Sequence, residues 1–279
     1  IGGDGDDLMV WNNGDGSDFI DGGADDDRMQ VNFQQSSDLS DLDLQNDDVA
    51  EFSNGNNGGV QFNRVEVNGQ SEVGLFQLDI EKTETLEVNF GGGTDTARLL
   101  DTADLRTTLE LDGGNGVDTI DFSSLSNLRL LELSVAVEVE GGGVPSGITF
   151  DLGSGVIESV FRQASDDTAV NFENVIGTAE DDIFKGNAEV NIFEGGEGAD
   201  TFVFAEGSNA DVVTDFDVSA DAMDVSELGL TAEDALALAV QVGTVVDGDT
   251  LVDFGNGDSV LLEDVFVEDL SVDNFIGLV

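Results

Sequence analysis

GGDGDDLMV at Gly2–Val10, NGDGSDFID at Asn13–Asp21 and GGADDDRMQ at Gly22–Gln30 are near-copies of one nine-residue unit. It returns as GGNGVDTID at Gly113–Asp121, GTAEDDIFK at Gly177–Lys185 and GGEGADTFV at Gly195–Val203. The shared pattern is G-G-x-G-x-D-x-U-x, with U a large apolar residue. Glycine supplies the positive φ of a tight turn and lets neighbouring backbones approach closely. Such a turn aims carbonyl oxygens at one point, and aspartate at the sixth position adds a carboxylate. These are the hard oxygen ligands that Ca²⁺ gathers, six to eight per ion. The last three residues suit a short strand whose central residue (Met9, Ile20, Met29, Ile120, Phe184 or Phe202) points inward, its neighbours outward.

Tandem copies in register at both ends of the chain resemble the RTX family of hemolysin-type calcium-binding proteins. The resemblance implies an all-β fold, a right-handed parallel β-solenoid with two nonapeptides per coil. It also implies Ca²⁺ between turns eighteen residues apart. Asp182 and Asp200 have that spacing. Asp18 and Asp27 belong to adjacent turns on opposite sides. Asp7 is offset by the two extra residues Trp11 and Asn12. Asn191 puts an amide where the pattern has a carboxylate. FGGGTDTAR at Phe90–Arg98 places Asp95 at the sixth position, 23 residues before Asp118. The candidate Ca²⁺ ligands implied by the resemblance are therefore Asp7, Asp18, Asp27, Asp95, Asp118, Asp182, Asn191 and Asp200. Among Asp211, Asp215, Asp217, Asp221 and Asp224, the first two lie nearest the repeats and could extend the last site; the others could equally cap turns. Without a metal, the same turns would be polar corners of an ordinary solenoid.

The formal charge is −53, from 61 acidic and 8 basic residues, with no histidine, cysteine or tyrosine. A chain this acidic repels itself when compact, and bound cations would relieve that. A lysine-poor acidic surface also suits a saline habitat. The scattered arginines form no basic patch for nucleic acid. No apolar run approaches a membrane span. Without cysteine there are no disulfides, so metal would have to serve as the staple. Histidine-based triads, thiolate nucleophiles and the usual zinc ligands are missing. Paired carboxylates alone could suit glycoside hydrolysis, but one tryptophan and no tyrosine leave little to stack a sugar on. The chain reads as non-enzymatic. It opens on Ile1 inside a repeat, which reads as a piece of a longer protein.

A second repeat fills the middle. Glu66, Glu87, Glu110, Glu132 and Glu158 recur at steps of 21, 23, 22 and 26 residues, each flanked by apolar residues. That suggests wider solenoid coils stacked strand on strand. The interleaving of wide coils with glycine turns resembles RTX-containing S-layer proteins and adhesins. Residues 31–60 carry the acidic run Asp38–Asp48, expected to be a solvated face, and the loop Ser53–Gly59. Beyond residue 210 the glycine period stops. Thr231 with Asp234 is a capping-box-like helix start, and Gly255–Asp258 is a hairpin turn between Thr250–Phe254 and Ser259–Leu262. The expected division is RTX coils at 1–30, wider coils at 31–176, RTX coils at 177–210 and a cap with one short helix at 211–279. In the family this last segment carries the uncleaved type I secretion signal; it could equally be only a capping strand.

The resemblance implies secretion by the type I machinery of a Gram-negative bacterium, to the medium or cell surface. The function expected is a calcium-binding structural module of a large surface protein, whether S-layer, adhesin or filament. Its partners would be copies of the chain itself or cell-surface polysaccharide. The alternative is the secretion and folding module of an enzyme or toxin whose active domain lies upstream.

Overall fold

The computed structural model describes residues 1–12, 17–33, 48–55, 59–67, 76–100, 107–125, 147–159, 167–243 and 248–278. It is nearly all β-strand, with one short α-helix at Ala232–Leu236, and its sheets are dominated by parallel pairing. It forms two compact units, Ile1–Leu133 with Gly155–Phe172, and Ser134–Ser154 with Glu173–Val279.

In the first unit, Leu8–Asn12, Arg28–Asn32, Thr85–Asn89 and Thr108–Asp112 pair in parallel in that order. Thr168–Val170 follows in parallel, and Val156–Ser159 pairs antiparallel to it. The other sheet runs from Asp18–Asp21 through Phe76–Glu81, Val60–Val67, Asp48–Asn54 and Thr96–Leu99 to Thr119–Asp121. Alternation does the sorting. Met29, Val31, Leu86, Val88, Leu109 and Leu111 point inward from one sheet, and Phe52, Phe62, Leu78, Ile80 and Ile120 from the other, all essentially inaccessible. Trp11, 3% exposed, joins this core opposite Val31.

The glutamate repeat is only partly a ladder. Glu87 and Glu110 are in register, with Gln30 before them and Thr168 after. The strand holding Glu66 instead runs antiparallel between Asp48–Asn54 and Phe76–Glu81. The reversal around Gly55, whose N–H bonds the Gly59 carbonyl, turns the chain into a meander inside a coil. Glu132 and most of the Asp38–Asp48 run lie outside the described residues.

In the second unit, Asn174–Ile176, Ile192–Glu194, Ala210–Val213 and Asp258–Leu262 pair in parallel, and the antiparallel strands Gly248–Gly255 and Ala239–Gly243 extend that sheet. The other sheet stacks Ile148–Asp151, Ile183–Lys185, Thr201–Val203, Ala222–Asp224 and Phe275–Ile276 in parallel. One coil takes 18 residues where Ile183 pairs Thr201, and 21 where Thr201 pairs Ala222. Phe184, Phe193 and Phe202 alternate from the two sheets with centroids 5.9–6.2 Å apart. In the cap, the helix start and the hairpin form as their sequences indicate, with Thr231 accepting the Asp234 N–H and the turn before Asp258. The helix is shorter than the apolar spacing of Leu236, Ala239 and Val240 suggests, because Ala239–Gly243 is a strand paired with Gly248–Gly255.

Candidate metal centre

The coil spacing brings sixth-position residues onto one another. Asp182 donates its N–H to Asp200 Oδ1 at 2.8 Å, and Asp200 donates its own to Asp221 Oδ1 at 2.9 Å. The same bond joins Asp7 to Asp27 (2.9 Å), Asp95 to Asp118 (2.7 Å) and Asn191 to Asp211 (2.9 Å). Each carboxylate thus accepts from the turn one coil earlier. The two residues Trp11 and Asn12 are absorbed into a longer strand, so Asp7 stacks on Asp27 at a 20-residue step. Asp27 in turn donates to Glu84 Oε2 at 2.7 Å. Asp18 stands apart: it is exposed and its register partner is Leu78, so no acidic residue is stacked on it there.

The first glycine of the unit makes room for the carboxylate. A methyl group built on Gly22, Gly113, Gly177 or Gly195 would meet Oδ2 of Asp27, Asp118, Asp182 or Asp200 at 2.5–2.9 Å. The glycines at positions two and four do something else. Gly196 and Gly198 have φ of 98° and 133°, open only to glycine at low cost, and rest against the Thr178 and Glu180 carbonyls of the turn below.

Burial then strands charge. Asp27, Asp95, Asp118, Asp182, Asp200 and Asp211 are each no more than 2% exposed. Oδ2 of Asp27, Asp200 and Asp211 is buried with no hydrogen-bond partner. For Asp200 the cause is visible, because the turn N–H groups of Gly195 and Gly196 go to Asp215 at 2.8 Å each. Asp258 likewise takes the N–H groups of Gly207 and Asn209 from beside Asp211. Burial raises the Asp200 carboxyl to about 8, aided by the Asp221, Asp182 and Asp215 charges. Burial, with Asp258, raises Asp211 to about 7. Asp182 reaches about 6, because N–H groups of Ile148 and Thr178 partly offset its burial.

A buried carboxylate oxygen without a donor is a cation ligand in chemical character. Asp27, Asp200 and Asp211, with carbonyl-rich turns beside them, fit a hard divalent ion. Among the described residues no group of three or more acidic side chains forms a metal cluster, so backbone carbonyls would have to supply most ligands. The recurrence of this turn, its stacked aspartates and its parallel coils decide the family. Residues 102–259, more than half of the sequence, match the model of the peptidase M10 serralysin C-terminal domain. The chain belongs to the serralysin C-terminal family.

Serralysin C-terminal domains carry RTX repeats that generally bind calcium, and they are the non-catalytic part of type I-secreted, extracellular proteins. The chain is extracellular with them. No described helix is long and apolar enough to cross a membrane. Among solved structures, the extracellular lipase LipA from Serratia marcescens is similar at 11% identity and a TM-score of 0.26, over 89% of this chain and 40% of the lipase. The chain thus spans less than half the length of that protein. No curated protein sequence matches it.

Two turns escaped the glycine pattern. Glu206–Asp211 has no glycine pair, yet Gly207 and Asn209 take φ of 87° and 70°, the second and fourth positions of the unit. Phe216–Asp221 reaches the same register without a glycine, and its Asp221 stacks on Asp200. The detectable signal is downstream: each aspartate stands two residues before a buried apolar residue, Val213 or Met223.

Proposed function

We propose that the chain is a calcium-folded β-solenoid module of a type I-secreted protein, loose in the cell and coiled outside it. The buried, partnerless Oδ2 of Asp200, one coil from Asp182, is the observation that carries this reading. Bound calcium would supply two positive charges per ion. Asp7 with Asp27, Asp95 with Asp118, and Asp182 with Asp200 would hold it, and their glycines keep the turn backbones close enough to contribute carbonyls. Asp18 and Asn191 do not fit this role: one is exposed, and the other brings no free carboxylate. Ions that bind only the coiled state add their binding free energy to folding. Far-UV circular dichroism and thermal melting during EGTA treatment test this. A weaker β signal and a lower melting temperature are expected, and a signal and melting point unchanged by chelation would refute it.

We further propose that the wide coils give the module a structural role at the cell surface, against copies of itself or surface polysaccharide. Support comes from cross-coil clamps that need no metal. Arg28 bridges Glu87, at 2.8 Å, and Glu110, and Arg98 bridges Glu51 and Asp121 at 3.2 and 2.8 Å. A second reading, the C-terminal module of a secreted enzyme, is favoured by the family's peptidase origin. The upstream sequence separates them: repetitive β domains there fit the first, a catalytic domain the second.

A further inference from the structure

The turn Gly186–Asn191 breaks the aspartate pattern, and its hydrogen bonds give the consequence. Asn191 is fully buried. Its Oδ1 accepts the Asn187 N–H at 2.9 Å. Its Nδ2 donates to the Glu173 carbonyl, one coil earlier, and to Asn187 Oδ1, both at 3.1 Å. A backbone N–H only donates and a carbonyl only accepts, so these partners fix which way the amide points. An aspartate here would set a carboxylate oxygen against the Glu173 carbonyl. Two acceptors in contact inside the protein need a proton or a cation between them, and at alkaline pH the cation is what remains. Asp200 Oδ2 is buried with no hydrogen-bond partner, whereas both polar atoms of the Asn191 amide have one.

We propose that the Asn191 amide nitrogen takes the place of a metal ion, so that this turn is latched to the coil before it without calcium. The ion count in the test below rests on the calcium reading given above, whereas the latch itself does not. The coil stack then has unlike edges. The Asp182–Asp200–Asp221 edge opens and closes with calcium, and the Glu173–Asn191 step stays closed in its absence.

Asn191→Asp and Asn191→Ala test this in the whole chain, by counting bound Ca²⁺ per chain in native mass spectrometry and by melting in EGTA and in Ca²⁺. Asn191→Asp should bind one ion more than wild type and melt lower than wild type in EGTA, with the loss recovered by Ca²⁺. Asn191→Ala should leave the ion count unchanged and lower the melting temperature alike in both media, by roughly 2–4 °C per lost hydrogen bond. An equal, non-zero ion count for wild type and Asn191→Asp would overturn the inference, as would one ion lost in Asn191→Ala. If Asn191→Asp does not fold, the alanine variant decides: a melting point unchanged in EGTA overturns the latch. A wild-type count of zero would instead refute calcium binding, and the alanine melting would still judge the latch.

Discussion

Asp182 hands its backbone N–H to the carboxylate of Asp200, eighteen residues later and one coil along, at 2.8 Å. This single bond ties coil to coil, places a charged group inside the wall and leaves its second oxygen without a donor. The same N–H to carboxylate bond recurs at Asp7–Asp27 and Asp95–Asp118 in the first unit and at Asn191–Asp211 in the second, so each of these coil steps carries an acid. Coils that fasten through buried acids cannot be stable at neutral pH unless protons or cations attend them.

The calcium-free chain should therefore prefer acid. Asp182, Asp211 and Asp200 have carboxyls raised to about 6, 7 and 8 in the fold. A raised carboxyl contributes stability that is fully present below its unfolded value near 4 and is lost as pH rises through the folded value. In EGTA the melting temperature should fall between pH 5 and pH 8.5. Saturating calcium should flatten that slope. A calcium-free chain that melts higher at pH 8.5 than at pH 5 would refute the burial of these groups.

Gly195→Ala should harm the calcium turn sharply. Its φ lies outside the left-handed region, so strain is not the reason. The new methyl would lie 2.5 Å from Asp200 Oδ2 and 3.1 Å from Phe202 Cζ. A cost of about 1–3 kcal/mol and weaker calcium binding are expected. Gly207→Ala, with φ of 87° and nothing within 4 Å, should cost about 1 kcal/mol through the backbone alone. Calcium titration and urea unfolding of the pair check this.

Phe202→Ala should cost about 3–5 kcal/mol even when calcium is saturating. Phe202 is fully buried and its ring meets Phe184, Phe193 and Phe216. Equilibrium denaturation in excess Ca²⁺ is the measurement. A loss below 1 kcal/mol would mean that the metal, not the apolar stack, holds the coils.

Arg28→Met should cost less than about 1 kcal/mol, with a loss that shrinks in salt and does not depend on calcium. Arg28 is 41% exposed at the side chain and its Glu87 and Glu110 contacts lie on the outer face. Melting at low and high NaCl, with and without EGTA, reads both properties.

Much of this was legible in the nonapeptides. Gly195, Gly196 and Gly198 around Asp200 state the turn, the slot and the ligand in six letters, because each constraint falls on a different residue. The meander at Asp48–Glu81 was not legible, since Glu66 keeps the apolar flanks of Glu87 while its strand runs the other way. Period-two alternation tells which face a strand buries and says nothing of its direction. Asp221 was hidden for another reason. Its turn uses no glycine, and only the register of Ala222–Asp224 on Thr201–Val203 reveals it. Asn191 read as a weakened ligand, and its partners, Glu173 and Asn187, are what give the amide its own use.

The most direct measurement is a calorimetric Ca²⁺ titration of wild type beside Asp200→Ala and Glu268→Gln. Asp200 is buried between stacked turns, and Glu268 is an exposed acid of the cap. Each change removes one carboxyl group. Asp200→Ala should lose a site or weaken it tenfold or more, about 1.4 kcal/mol, while Glu268→Gln binds as wild type. Equal shifts in both variants would contradict this, because bulk negative charge rather than the geometry of the turns would then be drawing the ion.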